Sequence, residues 1–139
     1  TWPVAELRAT ARALGLISVR KGRIAPTRAI TEHRDDPQAI LRHITGRLPL
    51  GNSPVEEQAG WLALAVVACE TPAQLWEQSI SELLVGLGWR NRDDPFRAPS
   101  PESLTLDALR LLAGTMRTGR SLQGVNTALA ASARAVIRA

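Results

Sequence analysis

Leu14-Gly15-Leu16-Ile17-Ser18-Val19-Arg20-Lys21-Gly22-Arg23-Ile24-Ala25-Pro26-Thr27 is the one β-patterned stretch in an otherwise helical chain. Lys21-Gly22 fits a two-residue hairpin loop, and that choice fixes the register. Arg20 then faces Arg23, Val19 faces Ile24, Ser18 faces Ala25 and Ile17 faces Pro26. One face is apolar and the other cationic, so Val19 and Ile24 are expected to be buried together, with Lys21 and Arg23 exposed. Lys-Gly is a weaker turn than Asn-Gly, because a primed turn needs φ > 0 at both positions and only Gly22 takes it freely. Pro26 has no N–H for a ladder, which assigns its strand to an edge.

Working outward, Pro3 to Leu14 reads as a helix with Val4, Leu7, Ala11 and Leu14 on one stripe, Arg8 and Arg12 on the polar side and Gly15 as a left-handed cap. After the hairpin, Thr27 is expected to cap a short helix to about Arg34. Asp36 and Pro37 then start another that turns Ile40, Ile44 and Leu48 inward, with Leu41 beside them. Ser53-Pro54-Val55-Glu56 and Thr71-Pro72-Ala73-Gln74 are two capping-box patterns of one design. The first predicts a helix from Pro54 to about Glu70, apolar on nearly every side after Ala59 and therefore the spine of the core. The second predicts a helix to about Leu87 that buries Leu75, Trp76, Ile80, Leu83, Leu84 and Leu87, with Trp89 folding back onto it. Asn91 to Glu102 is the longest loop and a possible internal boundary. Two further helices complete the chain: Leu104 to Met116, closed by Gly119, and Ser121 or Leu122 to about Arg138, with a stripe of Leu122, Val125, Leu129 and Val136. The fold class expected is mainly α, about six helices with one short hairpin, a winged-helix-like N-terminal part on a helical bundle in one compact domain.

At 139 residues, 45% hydrophobic and 22% charged, the composition is that of a folded globular chain. The longest apolar run, Ala59 to Cys69, is far short of the roughly 20 residues that span a bilayer. Cys69 is the single cysteine, so no disulfide can close within the chain, as fits a reducing cytoplasm. The chain opens on Thr1 without an initiator Met, and it is expected to be the C-terminal part of a longer protein. Charge is segregated: residues 1–50 carry nine basic and four acidic groups, 51–102 three and eight, and 103–139 five and one. Such segregation serves either an external anionic partner or internal docking of the basic ends on the acidic middle.

No constellation in the sequence demands a particular chemistry. His33 and His43 lie on different helices without a second ligand at metal spacing. Asp35-Asp36 and Asp93-Asp94 each precede a proline, where Asp turns or caps the chain. Gly86-Leu87-Gly88 ends a helix where a dinucleotide fingerprint must begin one. Cys69, Trp61 and Trp76 read as core residues, and Ser53 and Thr71 as caps. No catalytic residue, metal or cofactor is therefore expected.

The core Arg-Ala-Leu-Gly-Leu-Ile-Ser-Val-Arg-Lys-Gly-Arg-Ile-Ala-Pro-Thr, within Leu7 to Thr27, resembles a segment of the plasmid Ri-type open-reading-frame-three-like family of high-GC bacteria. Gly60-Trp61-Leu62-Ala63-Leu64 is consistent with that family, and the likeness spans about half the chain. Its motifs are structural, so the resemblance implies no active-site residue and no activity. The hairpin is also similar in outline to the wing of winged-helix regulators, though a winged helix places two helices before its recognition helix and this chain opens with one. The function favoured at this level is a non-enzymatic structural or protein-interaction domain of a larger bacterial protein. Its partner is expected to be a protein or the rest of the parent chain, with no membrane involved. The alternative is a winged-helix-like nucleic-acid-binding module that uses Arg8, Arg12, Arg20, Lys21 and Arg23.

Overall fold

A computed structural model describes residues 4–115 and 125–139, and among them the chain is mainly α with one two-stranded antiparallel hairpin. It divides into two compact units, Thr1–Leu48 and Pro49–Ala139. The loop over 91–102 lies inside the second.

In the first unit, α1 (Val4–Ala13) ends where Gly15 takes φ +68. Leu16 N–H donates to Ala11 O and Gly15 N–H to Arg12 O, the paired bonds of a Schellman cap. β1 (Ile17–Arg20) and β2 (Arg23–Pro26) pair in the register read from the sequence, Arg20 with Arg23 through Ile17 with Pro26. Thr27 N–H donates to Leu16 O at 3.0 Å and extends that register by one pair. Alternation along the ladder then puts Pro26 at a non-hydrogen-bonded position, where its missing N–H costs the pairing nothing. The expected burial of the apolar face is corrected: α1 packs on β1, Val19 is half-buried, and Ile24 on the uncovered β2 is 56% exposed. The α1 stripe is likewise buried only toward its end, with Leu14 fully enclosed and Val4 and Leu7 exposed.

Thr27 does not cap the next helix through its side chain. Its hydroxyl donates instead to Gly15 O at 2.6 Å, and α2 (Arg28–Glu32) ends sooner than expected. Asp36 does cap α3 (Pro37–Thr45), accepting from Ala39 N–H at 3.0 Å. Ile44 and Leu48 are buried from this side, and Ile40 and Leu41 half-buried. His43 Nε2 donates to Leu14 O at 3.1 Å and Arg47 Nε to Ala13 O at 3.2 Å. The last carbonyls of α1 are therefore met by Thr27 at the hairpin's end and by two side-chain N–H donors one turn apart, His43 and Arg47, which satisfy groups a helix C-terminus leaves unpaired.

The second unit is built on α4 (Pro54–Ala68), which contacts α5 (Trp76–Gly86), α6 (Leu104–Thr115) and α7 (Thr127–Arg138). Ser53 Oγ accepts from Glu56 N–H, and Glu56 reaches back to the N–H of Asn52. Ala59, Gly60, Ala63, Leu64, Val66 and Val67 are buried, as a spine requires. A helix apolar on nearly every side after Ala59 still has an uncovered side when three helices pack on it, so Trp61 is 41% exposed and Cys69 lies at the surface, against the expectation that both are core.

The second capping box is corrected too. Thr71 N–H is taken by Val66 O in the C-terminal cap of α4, and Thr71 O accepts from Trp76 Nε1 at 2.8 Å. The chain then makes a 3₁₀ turn, Ala73–Leu75, without a side-chain cap, and α5 starts only at Trp76. Trp76, Ile80 and Leu84 fill its buried face, while Leu75, Leu83 and Leu87 are exposed. Trp89 donates to Gln58 of α4 at 2.6 Å. Ser103 caps α6 and Asn126 caps α7. Leu129, Ala130 and Ala133 form the buried face of α7, while Val125 is exposed. Met116, Gly119, Ser121 and Leu122 fall outside the described residues.

Candidate functional site

All five cations singled out in the sequence, Arg8, Arg12, Arg20, Lys21 and Arg23, belong to the first unit and are exposed. Arg8 and Arg12 lie one turn apart on α1, and the other three crown the hairpin. Among the described residues of the first unit none of the five has a carboxylate within 4.0 Å. Three of the unit's four acids face other cations: Glu32 meets Arg28 at 2.6 Å, and Asp35 and Asp36 stand 4.0 Å from Arg34 and Arg42. Only Glu6 shares residues 4–26 with the five cations.

The tip holds this charge against local preference. Lys21 sits at φ +49 and Gly22 at φ +77, the primed-turn pattern. For a residue with a Cβ that conformation costs about 1–2 kcal/mol. Arg20 and Arg23 are direct cross-strand partners, and like charges opposite one another destabilise a pair by roughly 0.2–1 kcal/mol. No described acid offsets either effect.

Two basic groups of the second unit behave differently. Arg110 on α6 reaches Glu102 at 2.9 Å, Asp107 at 3.5 Å and Glu77 of α5. Partial burial works against its charge, but the hydrogen bond to Glu102 and the charges of Glu102, Glu77 and Asp107 outweigh that, so its pKa is raised. Arg134 on α7 donates to Ala68 O at 2.9 Å and to Glu70 at 2.8 Å. Both dock on the acidic middle segment. The docking alternative drawn from the charge map thus holds, within the second unit, for Arg110 and Arg134.

The remaining candidates have structural employment. His43 caps α1, and His33 is exposed at the end of α2. Asp36 caps α3, and Asp94 accepts from Phe96 N–H in a turn. Gly88, at φ +92, closes α5 in another Schellman cap. Among the described residues no three His, Cys, Asp or Glu side chains are grouped to hold a metal ion, and no helix is long and apolar enough to cross a membrane. Cys69 lines an open cleft of about 430 Å³ with Val66, Thr71, Glu82 and Leu83. Sequence reasoning missed the convergence of Thr27, His43 and Arg47 on the end of α1. The i, i+4 spacing of His43 and Arg47 was its one visible sign.

A scan against protein-family models finds no match, and neither a search of curated proteins nor one of solved structures finds any.

Proposed function

We propose that this chain is a non-enzymatic interaction domain whose contact surface is the α1–hairpin segment of the first unit and whose partner presents an anionic face. One observation carries the reading. Arg8, Arg12, Arg20, Lys21 and Arg23 have no acidic partner among the described residues of their own unit and share one segment with a single acid, Glu6, whereas Arg110 and Arg134 are engaged by carboxylates and Arg90, Arg92 and Arg97, also without an ion pair, are interspersed with Asp93 and Asp94. A charge run that merely solvates a surface is normally interspersed with acids, as over residues 28–42, where Arg28, Arg34 and Arg42 alternate with Glu32, Asp35 and Asp36. The exposed apolar side chains of Ile24 on β2 and of Val4 and Leu7 on α1 belong to the same segment and give a partner something to bury beside the charges.

Retention on a heparin resin tests this at equal net charge. One variant neutralises Arg8, Arg12, Arg20, Lys21 and Arg23 to Gln, and the other neutralises Arg28, Arg34, Arg42, Arg90 and Arg92. The first is expected to elute at markedly lower salt than the second. Equal shifts would mean that bulk charge, and no particular surface, governs binding.

A further inference from the structure

The hairpin tip combines two locally unfavourable choices with an exposed position. Lys21 stands at φ +49 where Asn would be at ease, and Arg20 and Arg23 oppose one another across the ladder. Residues 20–26 are all exposed, so the ribbon's tip and the whole of β2 are open to solvent. A sequence selected only to close this hairpin would place Asn-Gly in the turn and Thr or an opposite-charge pair beside it. Local rules broken without compensation inside the fold point to a requirement met outside it. Three clustered cations are relieved by a closely spaced row of anions.

We infer that the hairpin is a phosphate-gripping ribbon for duplex DNA, entering the major groove with Arg20, Lys21 and Arg23 directed at the backbone and Arg8 and Arg12 adding contacts from α1. This rests on the anionic-partner reading above and names the partner. Dimensions support a duplex. The strands of a ribbon are about 4.8 Å apart, and four residues at roughly 3.4 Å each give a reach of about 14 Å. The major groove of B-DNA, about 12 Å wide and 8.5 Å deep, admits a two-stranded ribbon. The deep, narrow major groove of A-form RNA does not. Unpaired strands are held by aromatic stacking, and residues 4–48 contain no Trp, Tyr or Phe.

Fluorescence anisotropy with a 20-base-pair DNA duplex, titrated from low to moderate salt, tests the inference. With four or five phosphates neutralised, the log–log salt slope is expected near −4, at about −0.9 per contact. Arg20→Thr combined with Arg23→Thr should lower its magnitude by about 2 and weaken binding at least tenfold at low salt, with the fold kept, since Thr suits a cross-strand pair. Lys21→Asn separates binding from folding: it should raise Tm by about 2–5 °C while weakening DNA binding several-fold. An unchanged slope in the double variant, or no rise in Tm for Lys21→Asn, would overturn the inference. So would equal affinity for duplex RNA or for single strands. Loss of DNA binding altogether, with heparin retention still dependent on the same five cations, would reject DNA and leave the interaction-domain reading standing.

Discussion

A Cβ placed on Gly60 would stand 2.7 Å from the hydroxyl oxygen of Thr105 and 3.0 Å from Cβ of Pro49. That hydroxyl is held in place, donating to Leu50 O at 3.1 Å and accepting from Leu50 N–H at 2.8 Å. Gly60 therefore sits inside a helix because α4 and α6 meet over a fixed polar contact. Gly60→Ala should destabilise the second unit by about 1–2 kcal/mol, since overpacking outweighs a helix-propensity gain of about 1 kcal/mol. Gly114→Ala, with open space around its Cβ on α6, should do the reverse and stabilise by roughly 0.5–1 kcal/mol. Urea denaturation of the two variants checks the contrast, and a stabilised Gly60→Ala would refute the close approach.

Leu64 is fully buried on α4, whereas Trp61, one turn earlier, is part-exposed. Leu64→Ala should cost about 2–5 kcal/mol, the range for deleting a buried Leu side chain where the surroundings relax only in part. Trp61→Ala should cost less despite the larger side chain, because much of its surface is already in water. A loss within about half a kcal/mol for Leu64→Ala would place α4 at the surface rather than at the centre of its unit.

The hairpin register was legible because a two-residue turn and period-two alternation leave one pairing that keeps Lys21-Gly22 in the loop. Gly15, Ser53 and Asp36 were legible for a similar reason, each being a local signal answered within a few residues. Thr71 misled because its backbone groups were claimed by Val66 and Trp76, which no propensity of its own reveals. The exposure of Ile24, Trp61 and Cys69 depended on how much neighbouring structure covers each element, a tertiary quantity. Of the basic surface, the five residues were visible in the sequence. That their charges go unanswered within their own unit while Arg110 and Arg134 find carboxylates in theirs required the fold.

Two threonines of the first unit should respond oppositely to one substitution. Thr10 is fully buried on α1 and its Oγ1 has no hydrogen-bond partner, so Thr10→Val removes an unsatisfied group while keeping the shape. It should stabilise by about 1 kcal/mol. Thr27 donates to Gly15 O at 2.6 Å, and Thr27→Val should destabilise by roughly 1 kcal/mol through that lost bond. Thermal unfolding of both variants supplies the comparison, and shifts of the same sign would contradict the assigned roles.

Glu70 takes φ +60, the position that a Schellman cap usually gives to glycine, and its carboxylate meets Arg134 at 2.8 Å. The backbone cost of a Cβ there is about 1–2 kcal/mol. A half-exposed ion pair returns about 0.2–1 kcal/mol, and a glycine would add unfolded-state entropy worth roughly 0.4–1 kcal/mol. These terms nearly cancel, so Glu70→Gly should change stability by less than about 0.5 kcal/mol in the native background. Arg134→Ala should cost more, about 1–2 kcal/mol, because Arg134 also donates to Ala68 O at the end of α4. In the Arg134→Ala background the ion pair is already gone, and Glu70→Gly should shift toward stabilisation by the pair's worth, about 0.2–1 kcal/mol. A double-mutant cycle in urea measures that difference directly. A coupling energy of zero would mean that Glu70 is retained at this cap for some reason other than its contact with Arg134.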